Sequence, residues 1–182
     1  MGDFMDFFDL HCDTLTECMD DGDSLLKNER DIDFERGSIF GRWNQVFAVF
    51  VPDSMDDSLV EGYFDSACDF YFDELKKKGD VFPILSSEDV RGHSRGVMLA
   101  MESSRGVGSL ERLEKLYERG LRLITLTWNH KNRAAGGCDE GGGLTDWGRE
   151  LVSKMEKLGI VTDVSHLSDR SFYDLCEFSD AP

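Results

Sequence analysis

Three stretches of the chain bring imidazole and carboxylate groups to positions where they could share a cation. The first is Phe7-Phe8-Asp9-Leu10-His11-Cys12-Asp13, an apolar run that closes in His-x-Asp. The others are Val97-Met98-Leu99-Ala100-Met101-Glu102 and Ile160-Val161-Thr162-Asp163-Val164-Ser165-His166. A β-strand turns residues i and i+2 to one face, so an extended His11 and Asp13 can approach one ion from the same side. Each group alone has an ordinary explanation: a hydrogen-bonded histidine beside a turn carboxylate, a helix-capping glutamate, a satisfied core histidine. Together, at the carboxyl ends of three strand-like runs, they describe a metal centre on a parallel sheet, because α/β proteins place their sites at that end. Two imidazoles, an aspartate and a glutamate form a nitrogen-and-oxygen set suited to zinc, manganese, iron or cobalt. Glu102 could bridge two ions, and paired ions are a usual way to activate water for hydrolysis. Cys12 lies between His11 and Asp13, so it is expected on the opposite face, packed against a helix. His93 and His130 fall in loop or turn sequence and are expected at the surface.

The elements that would position these groups alternate between strand and helix. Helical pattern fills residues 58–78, 110–119 and 146–158, each with Lys or Arg in its last turn and a glycine just after it (Gly79, Gly120, Gly159). Cations suit the negative end of the helix dipole, and glycine accepts the left-handed turn that ends a helix. A last helix is expected over residues 168–178, with Ser168 as its N-cap. Five main strands are expected, starting near Phe7, Gln45, Val97, Leu121 and Ile160. They read as continuous apolar runs, which suits a parallel sheet covered on both faces. The run Val81-Phe82-Pro83-Ile84-Leu85 is broken by proline and is expected to give only a short or edge piece. The alternation makes the fold α/β. Residues 134–143 (AAGGCDEGGG) lack the Gly-Lys-Ser/Thr of a phosphate loop and are expected to form a mobile loop after the fourth main strand.

At 182 residues the chain is of single-domain length. Its net charge of −17 argues against nucleic acid and anionic membrane surfaces as partners. The five cysteines form no C-x-x-C pair and leave one over, so reduced thiols are expected. There is no basic stretch followed by an apolar run at the N-terminus, and no apolar window of the ~18 residues that a membrane helix needs. A cytoplasmic location is expected.

The motifs also resemble those of the membrane (renal) dipeptidase family of zinc-dependent peptidases. The resemblance is carried by Asp9-Leu10-His11-Cys12-Asp13-Thr14-Leu15, Ala100-Met101-Glu102, Thr125-Leu126-Thr127-Trp128-Asn129, Gly143-Leu144-Thr145-Asp146-Trp147-Gly148-Arg149 and Asp163-Val164-Ser165-His166-Leu167-Ser168-Asp169. Order and spacing agree along essentially the whole chain. The resemblance implies a (β/α)8 TIM barrel holding two zinc ions, with His11 and Asp13 on the first, Glu102 bridging both and His166 on the second. Trp128 stands where the mammalian enzymes have a substrate-contacting histidine, and it is the candidate substrate-binding residue. Glu102-Ser103-Ser104 stands where the family often has Glu-Gly-Gly. Such a barrel has eight strands and typically ~250 residues, so residues 1–182 are expected to form a single incomplete barrel domain, roughly the N-terminal three-fifths of a dipeptidase. The family's remaining zinc histidine, its substrate-binding arginine and its proton-shuttling aspartate would then lie beyond Pro182, leaving no catalytic residue in this chain besides the metal ligands.

The implied activity is hydrolysis of dipeptides, by attack of a zinc-bridging hydroxide on the peptide carbonyl with protonation of the leaving amine. This chain alone is expected to bind about one zinc tightly, to lack dipeptidase activity and to self-associate through open strand edges. Two rival readings remain. One is another binuclear hydrolase on the same barrel, such as a deaminase or a phosphotriesterase-like enzyme, although those usually open with His-x-His rather than His-x-Asp. The other is a truncated, catalytically dead protein that binds only metal or a partner.

Overall fold

The computed structural model describes residues 5–181. In chain order the elements are β1 (Asp6–Asp9), α1 (Thr14–Asp21), α2 (Phe34–Gly37), β2 (Arg42–Phe50), α3 (Asp57–Lys77), β3 (Phe82–Pro83), α4 (Asp89–Gly92), β4 (Arg95–Glu102), a 3-10 turn (Ser104–Val107), α5 (Leu110–Glu118), β5 (Leu121–Thr125), α6 (Asp146–Leu158), β6 (Val161–Asp163) and α7 (Asp169–Phe178). The strands form one sheet in the order β1-β2-β4-β5-β6, and β3 also pairs with β4. The β1/β2 pair is parallel with Phe7 opposite Trp43, β3/β4 is parallel with Pro83 opposite Val97, and β5/β6 is parallel with Thr125 opposite Asp163. Nearly every residue of β2 and β4 is buried, which explains their continuous rather than alternating apolar character. The fold is α/β, and all five main strands lie where the sequence places them. The proline-interrupted run contributes only the two residues of β3.

Helix ends follow their capping chemistry. Thr145 caps α6 by accepting from the Gly148 amide, and Gly159, at φ 77°, closes it. Ser168 caps α7 by accepting from the Ser171 amide. Three helices were not expected. α1 ends on Gly22 (φ 74°), α2 is capped by Asp33, and α4 has four residues. Runs this short carry too little periodicity to register.

Contacts divide the chain into two compact units, one comprising residues up to Val49 with Asp65–Ala100, the other Phe50–Phe64 with residues from Met101 on. In the first unit Phe34, Trp43 and Phe47 meet edge-on, with ring centroids 6.0–6.5 Å apart. A Cβ on Gly37 would come within 2.4 Å of the Trp43 indole, so α2 can lie on that ring only with glycine there. The buried Glu74 carboxylate accepts from Ser24 Oγ and the Leu25 amide and pairs with Lys77, fixing the entry to the loop after α1. In the second unit Leu113 and Leu116 of α5, Ile124 of β5, Leu151 and Met155 of α6 and Leu175 of α7 form the core. Arg105 donates to the carbonyls of Pro52 and Met55 and pairs with Asp57, which pins the loop after β2.

The glycine-rich stretch is a packed scaffold, contrary to the expectation of a mobile loop. Residues 134–137 are buried, the Gly136 amide donates to Ser171 Oγ at 3.0 Å, and Gly137 bridges to Leu167. Its glycines serve close approach: a Cβ on Gly136 would sit 2.1 Å from the Gly141 carbonyl oxygen. Among the described residues no helix is long and apolar enough to cross a membrane, and all five cysteines are free.

Candidate metal centre

His11 and Asp13 are not strand residues. β1 ends at Asp9, so the alternation expected to align the two side chains does not operate. The chain is instead held just past the strand by backbone bonds to β2: the Cys12 amide donates to Val46 O at 3.1 Å and the Ala48 amide donates to Cys12 O at 2.9 Å. Behind them Gln45 Nε2 donates to Asp9 Oδ2 at 3.0 Å. With Cys12 clamped, its two neighbours meet on one side, and His11 Nε2 lies 3.4 Å from Asp13 Oδ1. Asp13 also begins α1, but its carboxylate does not cap the helix; its carbonyl accepts from Thr16 Oγ1 and the Glu17 amide. Burial pushes the Cys12 thiol up to about 12, so it stays protonated beside two good ligands.

Glu102 is the last residue of β4 and is 4% exposed. Ser103 follows at φ 76°, a conformation rare for a residue with a side chain, and is held there by amide bonds from Ser103 and Ser104 to the carbonyls of Thr125 and Leu126. His166, also at positive φ (63°), stands three residues past β6. Three contacts fix it. Its carbonyl accepts from the Cys138 amide at 2.9 Å and from Thr127 Oγ1 at 3.2 Å, and its Nδ1 lies 2.9 Å from Asn129 Oδ1. Its Nε2 lies 3.4 Å from Glu102 Oε1.

This donor set fits a metal. Imidazole and carboxylate are nitrogen and oxygen donors of the kind that zinc and its neighbours take.

The other expected residues fall as follows. Trp128 is half-buried, edge-on to Phe50 at 5.0 Å and tilted toward His166 at 6.4 Å. His93 stacks on Phe82. His130 is exposed and pairs through Nδ1 with Asp53 Oδ2 at 2.6 Å, which holds its pKa above the ordinary imidazole range. That pair lines a cleft of about 760 Å³ with Arg105, Lys131, Asn132 and Glu140, and none of the four candidate ligand residues lines it. The sequence carries no sign of the contact that Asn129 Oδ1 makes with His166 Nδ1 at 2.9 Å.

The parallel α/β sheet is that of an incomplete (β/α)8 barrel. The chain belongs to the membrane dipeptidase family (peptidase family M19), whose family model matches residues 3–182. A solved metallopeptidase of that family, dipeptidase AC, superposes with a TM-score of 0.87 at 21% identity, covering 98% of this chain and 62% of its own. A metallopeptidase from Rhodobacter sphaeroides, solved with a phosphinate mimic of L-Ala-D-Ala, gives 0.84 at 20% identity, covering 99% and 64%. An uncharacterized dipeptidase of Schizosaccharomyces pombe is 38% identical over 80 residues, 41% of this chain and 19% of that protein. The chain thus spans less than two thirds of each of these relatives.

Proposed function

We propose that these residues supply the metal-binding half of a dipeptidase, within a single barrel domain, and that the whole protein carrying them hydrolyses dipeptides with zinc. The observations that support this reading are two imidazole–carboxylate pairs, His11 Nε2 with Asp13 Oδ1 and His166 Nε2 with Glu102 Oε1, each at 3.4 Å, in a chain of the dipeptidase family. In this reading His11 and Asp13 would hold one ion, His166 would hold a second, and Glu102 would be shared by the two. When bound, the ions polarise a peptide carbonyl and lower the pKa of water enough to make it a nucleophile near neutral pH. The chain's own contribution is positional: the clamped Cys12 backbone fixes His11 and Asp13, while strained turns fix Glu102 and His166. Trp128, wedged between Phe50 and His166, offers an apolar wall to a substrate side chain. The L-Ala-D-Ala mimic bound by the Rhodobacter sphaeroides relative supports a substrate with a D-residue at its C-terminal position. Five free thiols support a reducing compartment such as the cytoplasm.

The test is an assay of the zinc-loaded whole protein against dipeptides, including L-Ala-D-Ala. We expect turnover that is lost on chelation and in His11→Ala. Absence of turnover with every dipeptide would refute the assignment.

A further inference from the structure

His166 can serve a cation only through the ring nitrogen that carries no proton, and the structure shows what decides which nitrogen that is. Nδ1 lies 2.9 Å from Asn129 Oδ1, and the same oxygen accepts from the Cys138 thiol at 3.5 Å. A carbonyl oxygen can only accept, so Nδ1 must carry the proton. The lone pair then sits on Nε2, the atom 3.4 Å from Glu102 Oε1. We propose that Asn129 is a positioning residue that locks His166 in the Nδ1–H tautomer and aims its Nε2 lone pair at the space beside Glu102.

The surroundings of Asn129 suit that task. Its carbonyl accepts from the Asp139 amide at 2.9 Å, so the backbone is fixed as well as the side chain. Gly137 packs against that same carbonyl, where an added Cβ would come within 2.4 Å, so the loop must carry glycine to press on Asn129 this closely. Thr127 and Cys138 meanwhile hold the His166 backbone at positive φ. One loop therefore sets both the ring's position and its protonation. Partners of this kind typically govern metal affinity by 10–100-fold.

The proposal rests on the metal reading above, but its first test needs neither metal nor turnover. Long-range 15N NMR of the metal-free protein, with the imidazole neutral, reports the His166 tautomer directly. We expect Nδ1–H in the wild type; Nε2–H there overturns the proposal without any variant. Asn129→Leu, which removes the acceptor at similar volume, should lose the tautomer preference, whereas Asn129→Asp, which keeps an acceptor oxygen, should retain it. An unchanged tautomer in folded Asn129→Leu likewise overturns the proposal. In a zinc competition titration we expect Asn129→Leu to weaken binding by tenfold or more and Asn129→Asp to restore it. Equal affinity in all three proteins removes the positioning role, whereas dipeptidase assays bear only on the function.

Discussion

Thr125 Oγ1 donates a 2.6 Å hydrogen bond to Asp163 Oδ2, joining the opposed last residues of β5 and β6. The other oxygen of Asp163 accepts from the amide and hydroxyl of Ser165, at 3.0 and 2.7 Å, and so shapes the turn that presents His166. One carboxylate therefore serves both the strand pair and the turn that follows it. Thr125→Val keeps the volume but removes the donor from a charged acceptor, and loss of such a bond typically costs about 1.5–3 kcal/mol. We expect a destabilisation of that size in urea melts. A change within error would mean that Asp163 is held without Thr125.

Ser103 offers the opposite sign. It adopts φ 76° and ψ 113°, and its buried hydroxyl has no hydrogen-bond partner among the described residues. Backbone strain of this kind costs about 1–3 kcal/mol, and glycine's extra unfolded-state freedom returns only about 0.5–1 kcal/mol of that. Ser103→Gly is therefore expected to stabilise the protein by about 1 kcal/mol or more, read as a rise in urea midpoint at constant slope. A fall in midpoint would show that the hydroxyl is satisfied in solution.

These two residues mark where the sequence was legible and where it was not. β2 and β4 could be read because burial on both faces leaves an unbroken apolar run, and α6 because Thr145 and Gly159 announce its ends. His11, Asp13, Glu102 and His166 could be read as candidates. Their geometry could not, because it is imposed by bonds between distant segments, such as Cys12 to Val46 and Asn129 to His166, which are 37 positions apart in the latter case. Glycines at 136 and 137 look like flexibility in a sequence, whereas here they permit close packing against the Gly141 and Asn129 carbonyls.

Metal binding should change the sign of a substitution at Glu102. Glu102 is 4% exposed, and without a cation a buried carboxylate costs more than a buried amide, so Glu102→Gln is expected to leave metal-free stability unchanged or raised. In wild type, zinc at a hundredfold excess over its dissociation constant should add about 2.7 kcal/mol by mass action. Glu102→Gln should forfeit most of that gain. Calorimetry is expected to show about one tight equivalent for these 182 residues, since the proposal gives three ligands to the first ion and two to the second. An identical zinc-dependent gain in Glu102→Gln would remove that residue from the site.

His130 should impose a pH dependence away from the metal. Its hydrogen bond to Asp53 raises its pKa above the ordinary 6.5, with the charges of Asp53, Glu140 and Asp139 acting in the same direction and partial desolvation opposing. The folded protein therefore binds this proton more tightly than the unfolded chain. The resulting stabilisation is complete below about 6.5 and fades as pH rises through the raised folded value. Asp53→Asn should move the His130 C2–H titration back toward 6.5 and flatten stability over that window. An unshifted titration in the variant would mean that Asp53 does not control it.

Self-association should follow from the ends of the sheet. β1 and β6 are the two ends of the strand path, each paired with one neighbour among the described residues. Apolar side chains stand exposed there: Phe8 and Met5 near β1, and Val161 and Val164 at β6, with Val161 49% exposed. Unpaired strand edges bearing apolar residues are templates for a second chain, and natural proteins blunt them with charge, lysine above all. Only three residues make up β6, so one charge there should suffice. Produced on their own, these 182 residues are expected to show a mass that rises with concentration in light scattering, and Val161→Lys should shift them toward monomer while leaving far-UV circular dichroism unchanged. A strictly monomeric wild type, or a variant that associates as strongly as wild type, would mean that the β6 edge is not the contact.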